Sequence, residues 1–236
     1  MVEPISLLEF RRKVDAIPEP TVRYAAKLLY LTASRVNELW GRGATELGRV
    51  KTYRTAEGET LAKRVGGTRP LCPTRERVSL EEYQNEVHGN VKVLRFTLAV
   101  LKRRAEAVKE VALPLSGDYD PWVRQLAAVI ERMEMGEPLL PYNRRDVSDW
   151  LLAYGLTGRD LGLKEDARVL NPLRHLRLTH LVTHYDFNEM DLLMVGGWAP
   201  RTALIAGPMG DYLRLAWRKY FPKLLVPLPR SELTEG

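Results

Sequence analysis

The chain has 236 residues, of which 45% are hydrophobic, so it is long enough for one large domain or two small ones with a sizeable core. Its formal net charge of +6 and its pI of about 9.4 favour an anionic partner, with DNA and RNA as the first candidates. The single cysteine, Cys72, excludes an internal disulfide, and the several ligands of a zinc finger are missing. The first residues are not typical of a signal peptide, nor is the glycine- and proline-containing stretch 192–210 typical of a membrane span.

Two helices are predicted at the start of the chain. Residues 6–15 are typical of a short helix, and the largely apolar run over residues 20–40 predicts one long helix that ends at Gly41. Residues 42–88 show no persistent period, and their glycines and prolines interrupt any element. This stretch is therefore either an ordered insertion or a loop.

A β-hairpin with a basic tip is predicted next. Residues 91–101 and 108–113 have the composition of strands. A charged turn separates them, and it begins with Lys102, Arg103 and Arg104.

The second half of the chain is predicted to be helical. Capping side chains mark the helix starts, and glycines mark several ends. The predicted starts are Asp120, Asn143, Asn171, Asn188 and Asp211, and the predicted ends are Gly136, Gly155, about His184, Gly196-Gly197 and Tyr220. Together with the hairpin, this pattern predicts an α+β fold that is mainly helical with a small antiparallel sheet, followed by a loose tail over residues 226–236.

Three segments carry the candidate chemistry. They are LLYLTASRVNELWG with Arg35 and Glu38, NPLRHLRLTHL with Asn171, Arg174, His175 and His180, and MVGGWAPRTALIAGPMGDYL with Trp198 and Tyr212. In this order they resemble the tyrosine recombinase (phage integrase) family. That family shows Thr-Gly-x-Arg-x-x-Glu-Leu on an apolar helix, then His-x-Leu-Arg-His followed by Thr-His-Leu, then Leu-Gly-His/Trp, and then a tyrosine. The predicted hairpin also fits, because the family places its catalytic lysine at a β-turn between the two arginines.

The resemblance runs from about residue 5 to residue 220 and implies a catalytic domain over residues 1–225, with 42–88 as an insertion. It implies DNA strand cleavage and rejoining through a 3′-phosphotyrosyl intermediate, with no metal and no ATP. Tyr212 would be the nucleophile, since a tyrosine that stays bonded to phosphorus conserves the bond energy for rejoining. Arg35 and Arg174 would stabilise the negative charge of the transition state with planar donors that stay protonated.

The resemblance also implies supporting roles. Lys102 at the hairpin tip is the first choice for donating a proton to the leaving 5′ oxygen, and Lys109 is the second. Trp198 would buttress the pocket, although it equally fits a core position. His180 and His184 have metal-ligand spacing, but no nearby carboxylate or thiol completes a site, so structural roles are the simpler interpretation for His175 and His180. The residues expected to touch DNA are Arg103, Arg104, His175 and Arg201.

The sequence departs from the family pattern in three ways. Asn171 stands where the family has a histidine; an asparagine cannot transfer protons at neutral pH, and it is also a good helix cap. Tyr212 follows Trp198 by 14 residues, a longer interval than the family usually has, which leaves room for cleavage at a neighbouring subunit's site. The catalytic pattern starts near residue 1 without a preceding DNA-clamping domain, so the chain is a fragment of a longer integrase or a stand-alone domain.

The expected partner is double-stranded DNA, on which the family assembles tetramers; residues 213–236 would dock on a neighbouring subunit, and the free chain would be a monomer. The expected location is the cytoplasm, or the host cytoplasm for a viral or plasmid gene. Many Arg, Glu and Leu with only two Gln are typical of a thermophile. Two alternatives stay open: a type IB topoisomerase, and a DNA-binding module of the same fold without activity.

Overall fold

The computed structural model describes most of the chain. The described residues are 3–40, 50–54, 60–64, 73–100, 108–116, 118–142, 144–163, 171–198 and 217–228. Its helices are α1 (Leu7–Asp15), α2 (Pro20–Leu31), α3 (Val36–Trp40), α4 (Pro121–Glu131), α5 (Arg144–Ala153), α6 (Pro172–Tyr185), α7 (Glu189–Gly196) and α8 (Trp217–Tyr220). Its strands are β1 (Val50–Arg54), β2 (Thr60–Arg64), β3 (Val78–Asn85), β4 (Gly89–Ala99) and β5 (Val108–Pro114). This element content confirms the α+β class.

The long helix predicted over residues 20–40 is wrong, because the chain turns between α2 and α3. The Thr32 hydroxyl donates to the Leu28 carbonyl, and Ala33 then adopts a left-handed conformation with φ of 45°. The Glu38 carboxylate accepts a 3.0 Å hydrogen bond from the Arg35 backbone N–H, which is one half of a capping box and starts α3. The apolar pattern continues across the turn and so conceals it.

The predicted hairpin is confirmed as β4 and β5, which pair antiparallel with Phe96 opposite Val111. Its charged tip lies outside the described residues. The structure adds β3, which pairs antiparallel along the other edge of β4, and a separate antiparallel pair of β1 with β2. These strands lie in the stretch 42–88 that the sequence left unassigned. Within β3 only Val78 is buried, so the strand lacks the apolar face that would have revealed it.

The capping residues predicted most of the later helices correctly. The Asp120 carboxylate accepts from the Trp122 N–H at the start of α4, and Asn188 forms a full capping box with Asp191 at the start of α7. One detail differs, because helix α4 ends at Glu131 instead of Gly136.

The predicted C-terminal helix is described only over α8, where Tyr220 is buried. Its hydroxyl accepts from the Ala112 N–H and donates to the Glu110 carbonyl, which ties α8 to β5. The prediction of a loose tail from residue 226 is wrong for Leu228, which is buried in the core. Residues 211–216 and 229–236 lie outside the described part.

Two apolar clusters form the core. The larger one contains Leu31 and Val36, and the smaller one contains Ala33. The turn between α2 and α3 therefore lies where the two clusters meet, and β5 and α6 reach this turn through polar contacts. None of the helices in the described ranges is long and apolar enough to cross a membrane.

Candidate active site

A buried carboxylate with three cations around it forms the candidate site. Glu38 is 1% exposed, and its oxygens lie 2.8 Å from Arg35 Nη1, 3.3 Å from Lys109 Nζ and 3.4 Å from Arg174 Nη1. The three cations come from the turn before α3, from β5 and from the first turn of α6. The fold thus joins three distant segments around one side chain.

Glu38 carries its negative charge in this setting. Burial alone would raise the pKa of its carboxyl group, but the charges of Lys109 and Arg174 and the hydrogen bond from the Arg35 backbone outweigh burial and leave the pKa below its usual value. A charged Glu38 in turn stabilises the cations next to it. The four side chains form one electrostatic unit, in which the loss of one member leaves buried charge behind.

The left-handed turn aims backbone carbonyls at two of these cations. The Ala33 carbonyl accepts from Arg174 Nη1 at 2.9 Å and from Lys109 Nζ at 3.2 Å, and the Thr32 carbonyl accepts from Lys109 Nζ at 3.3 Å. An alanine in this conformation costs about 1 kcal/mol or more relative to ordinary helical backbone. The two cations hold the turn in place because they bond to the carbonyls that it presents.

Arg174 links this turn to the end of α7. Its Nη2 donates to the Gly196 carbonyl at 2.9 Å, and its guanidinium lies 5.1 Å from the centre of the Trp198 ring. The side chain is 2% exposed. A guanidinium has five N–H donors, and the hydrogen bonds to Ala33, Glu38 and Gly196 use three of them.

Gly197 closes the site on the side of Lys109. It has φ of 65°, and a Cβ atom built on it would lie 2.9 Å from Val100 Cγ2 and 3.2 Å from Lys109 Cδ. The first distance is shorter than Cβ contacts in proteins and the second is tight, so both the backbone conformation and the close approach favour glycine.

We therefore expect Gly197→Ala to destabilise the fold more than Gly89→Ala does. Gly89 has a similar φ of 69°, but nothing lies within 4 Å of a Cβ built there. Both variants carry the same backbone strain, and only Gly197→Ala also overpacks the site, which adds about 1–3 kcal/mol. Urea unfolding of both variants measures the difference. Equal losses would show that the close approach at Gly197 relaxes without a penalty.

Lys109 has an unusual pKa for a lysine. Burial lowers it to about 8; the carboxylate of Glu38 acts against burial, and the charge of Arg174 adds to it. A group with this pKa can release and regain a proton close to neutral pH.

The pKa of Lys109 predicts a stability change with pH. Above about pH 8 the folded chain has released this proton, whereas the unfolded chain keeps it up to the usual lysine pKa near 10.5. Because the unfolded state then binds more protons, the free energy of unfolding rises by about 1–2 kcal/mol from pH 8 to pH 9.5. Above pH 10 the buried Tyr24, Tyr30 and Tyr220 act in the opposite direction, since burial raises their pKa.

Chemical unfolding at several pH values tests this prediction against a Lys109→Met variant. The variant keeps the volume of the side chain but has no titrating group at position 109, so its stability should rise less than that of wild type between pH 8 and pH 9.5. A rise of the same size in both proteins would assign the effect to another group.

Of the residues named from the sequence, the structure brings together Arg35, Lys109, Arg174 and Trp198. Asn171 and His175 lie in the first turn of α6, but Asn171 makes no capping hydrogen bond with its side chain. Lys102, Arg103, Arg104, Arg201 and Tyr212 lie outside the described residues.

His180 has a structural role, as the simpler interpretation held. Its ring is buried between the Tyr30 hydroxyl, 2.7 Å from Nδ1, and the Ile5 carbonyl, 2.9 Å from Nε2. Burial lowers its pKa to about 4, so the ring is neutral at physiological pH. No group of three or more His, Cys, Asp or Glu that could hold a metal occurs within the described ranges.

The sequence did not predict the central roles of two residues of the site. Lys109 was only the second choice for the catalytic lysine, and Glu38 was given no role. Arg35 and Glu38 lie three residues apart at the start of α3, and this spacing does signal a pairing of their side chains. Nothing in the local sequence signals that Lys109 and Arg174 join them.

Comparison with protein-family models, with curated proteins and with solved structures found no match for this chain. Three positively charged side chains surround one carboxylate, so the site carries a net positive charge. Arg35 is 20% exposed and opens this centre to solvent. Such a centre can bind a phosphate group and stabilise additional negative charge on it.

Proposed function

We propose that the chain cleaves and rejoins DNA strands as a tyrosine recombinase does, with Tyr212 as the nucleophile and a 3′-phosphotyrosyl intermediate. The observation that carries the proposal is the convergence of Arg35, Lys109 and Arg174 on Glu38. Arg174 and Glu38 are 136 residues apart in the chain. If these residues matched the family pattern only by chance, they would have no reason to lie together in the fold. Residues that bind the same phosphate must lie together.

The backbone at Ala33 also supports the proposal. In the family pattern that the sequence resembles, a glycine stands two residues before the first arginine, which is the position of Ala33. This residue has φ of 45°, a conformation that glycine adopts without strain. A left-handed turn at this position would explain why the family pattern has a glycine there. This chain forms such a turn with an alanine.

The chemistry assigns a role to each cation. As the tyrosine oxygen attacks phosphorus and the bond from phosphorus to the 5′ oxygen breaks, negative charge develops on the non-bridging oxygens, which Arg35 and Arg174 would stabilise. The leaving 5′ oxygen must gain a proton. Lys109, with its pKa near 8, is suited to donate it and now stands ahead of Lys102, for which only the sequence argues.

The second candidate is a DNA-binding module without activity, and one observation favours it. Lys109 and Arg174 are 3% and 2% exposed and bond to protein carbonyls. A cation that is permanently engaged in this way would hold the fold together and would not reach a phosphate. Catalysis thus requires that DNA binding opens the pocket enough for both side chains to reach the scissile phosphate.

Strand cleavage in EDTA separates these candidates. Supercoiled plasmid and nicked duplexes from a random pool are incubated with the protein and analysed on denaturing gels. Protein covalently bound to a 3′ end supports the proposal. Relaxation of supercoils without any recombinant product would identify a topoisomerase. Binding without any strand cleavage would favour the inactive module.

A further inference from the structure

We propose that His175 accepts the proton of the attacking tyrosine, in place of the histidine that the sequence lacks at Asn171. The inference rests on the proposed function. A tyrosine hydroxyl has a pKa near 10, so its attack on phosphorus at neutral pH needs a base that removes the proton.

The other groups of the described site are poorly suited. Glu38 is buried, holds three cations, and has a pKa below its usual value, so it is a weak base. Lys109 is protonated below about pH 8 and donates to two carbonyls. Asn171 has an amide side chain, which does not titrate.

His175 has the properties that these groups lack. It directly follows Arg174 in the first turn of α6, and its backbone N–H bonds to the Asn171 carbonyl at 3.0 Å, so it lies one turn further along the same face as Asn171. It is exposed, while Arg174 points into the protein. Its imidazole has no hydrogen-bond partner among the described residues, unlike the buried ring of His180. No hydrogen bond to the described residues therefore holds the ring away from a substrate group.

The charges around His175 keep the ring neutral. Partial desolvation lowers its pKa below the usual value of 6.5, and the charges of Arg174 on its own helix and of Arg35 on the α2–α3 turn lower it further. These two arginines are the charged groups of the described part that act on it. At pH 7 the ring carries no extra proton and can accept one.

The step is balanced in atoms and charge. The tyrosine O–H bond breaks and its proton moves to an imidazole nitrogen of His175. At the same time the oxygen–phosphorus bond forms, the bond to the 5′ oxygen breaks, and that oxygen takes a proton from a lysine. Rejoining reverses each transfer. His175 and the lysine therefore act at opposite ends of the same displacement.

The two ends can be separated with a modified substrate. A nicked duplex with sulfur at the bridging 5′ position has a leaving group that needs no proton, so it restores activity to a variant without the general acid but not to one without the base. We expect His175→Gln to form covalent adduct about 100-fold more slowly than wild type on both the ordinary and the sulfur-containing DNA. Lys109→Met should recover on the sulfur substrate. His88→Gln, an exposed histidine in the turn after β3, is the matched control and should keep the wild-type rate.

The dependence on pH provides the second readout. The wild-type rate should increase with pH through a pKa below 6.5 and then level off, and His175→Gln should lose this limb while its DNA affinity stays within about threefold of wild type. An unchanged rate or an unchanged pH profile in His175→Gln, with wild type active, would overturn the role of His175 and leave the proposed function intact. Recovery of His175→Gln on the sulfur substrate would make it a general acid instead. No adduct from wild type would overturn the proposed function and this inference with it.

Discussion

Glu38→Gln is expected to lower the free energy of unfolding by about 3–5 kcal/mol. The substitution keeps the shape of the side chain but removes the only negative charge that the described part of the site presents to Lys109 and Arg174, which are 3% and 2% exposed. Removing one partner of a buried ion pair is strongly destabilising because the remaining charge has lost both water and counterion. A loss of this size is a large fraction of the stability of a typical domain.

Urea unfolding at pH 7 measures this loss. Glu131→Gln is the matched control, because Glu131 is exposed at the end of α4 and should change stability by less than about 0.5 kcal/mol. If Glu38→Gln cost no more than its control, the cations would not depend on Glu38, and the description of the site as one electrostatic unit would be wrong.

Arg174→Lys is expected to reduce strand cleavage by about 100- to 1000-fold. Lysine keeps the positive charge, but a single ammonium cannot span the Ala33 carbonyl, the Gly196 carbonyl and a phosphate at the same time. Two contacts of the fold are lost together with a contact to the transition state. Both the stability and the rate per folded molecule should therefore fall.

Arg177→Lys separates these two effects. Arg177 lies one turn further along α6, is 3% exposed, and packs against the rings of Tyr30 and Tyr185. It should lose stability as Arg174→Lys does but keep its cleavage rate per folded molecule. Rates are compared at a temperature where circular dichroism shows both variants folded. Equal cleavage rates per folded molecule in the two variants would show that Arg174 has no direct role in the reaction.

Much of the fold was predictable where local chemistry determines it. The capping side chains of Asp120 and Asn188 lie within one turn of the backbone groups that they satisfy, so the sequence alone reveals these helix starts. The hairpin of β4 and β5 was predictable for a similar reason, because both of its strands are rich in strand-forming residues and follow each other closely along the chain.

The turn at Ala33 was not predictable from local pattern. Alanine favours helix and gives no signal of a left-handed conformation. What stabilises this turn is the pair of hydrogen bonds from Lys109 and Arg174 to its carbonyl, and both donors are distant in the chain. Strand β3 was not predicted for another reason. It is an edge strand whose side chains alternate between partly buried and exposed, so its sequence shows no apolar face.

Some residues of the candidate site could likewise be predicted from the sequence, and others could not. The two arginines, Trp198 and the runner-up Lys109 could be chosen from the order of the sequence segments. The central position of Glu38 could not, because it results from three elements packing together. The neutral, exposed state of His175 is likewise a property of the folded environment and not of its neighbours in the sequence.

Covalent trapping with tyrosine variants tests the central claim most directly. Wild type, Tyr212→Phe and Tyr220→Phe are incubated in EDTA with nicked duplexes that carry the bridging sulfur, and protein–DNA adducts are separated on denaturing gels. Tyr220 is buried and bonded to Ala112 and Glu110, so its variant controls for the loss of a tyrosine hydroxyl near the C-terminus. The proposal predicts an adduct from wild type and from folded Tyr220→Phe, and none from Tyr212→Phe. An adduct that persists in Tyr212→Phe, or no adduct from wild type that binds the DNA, would contradict it.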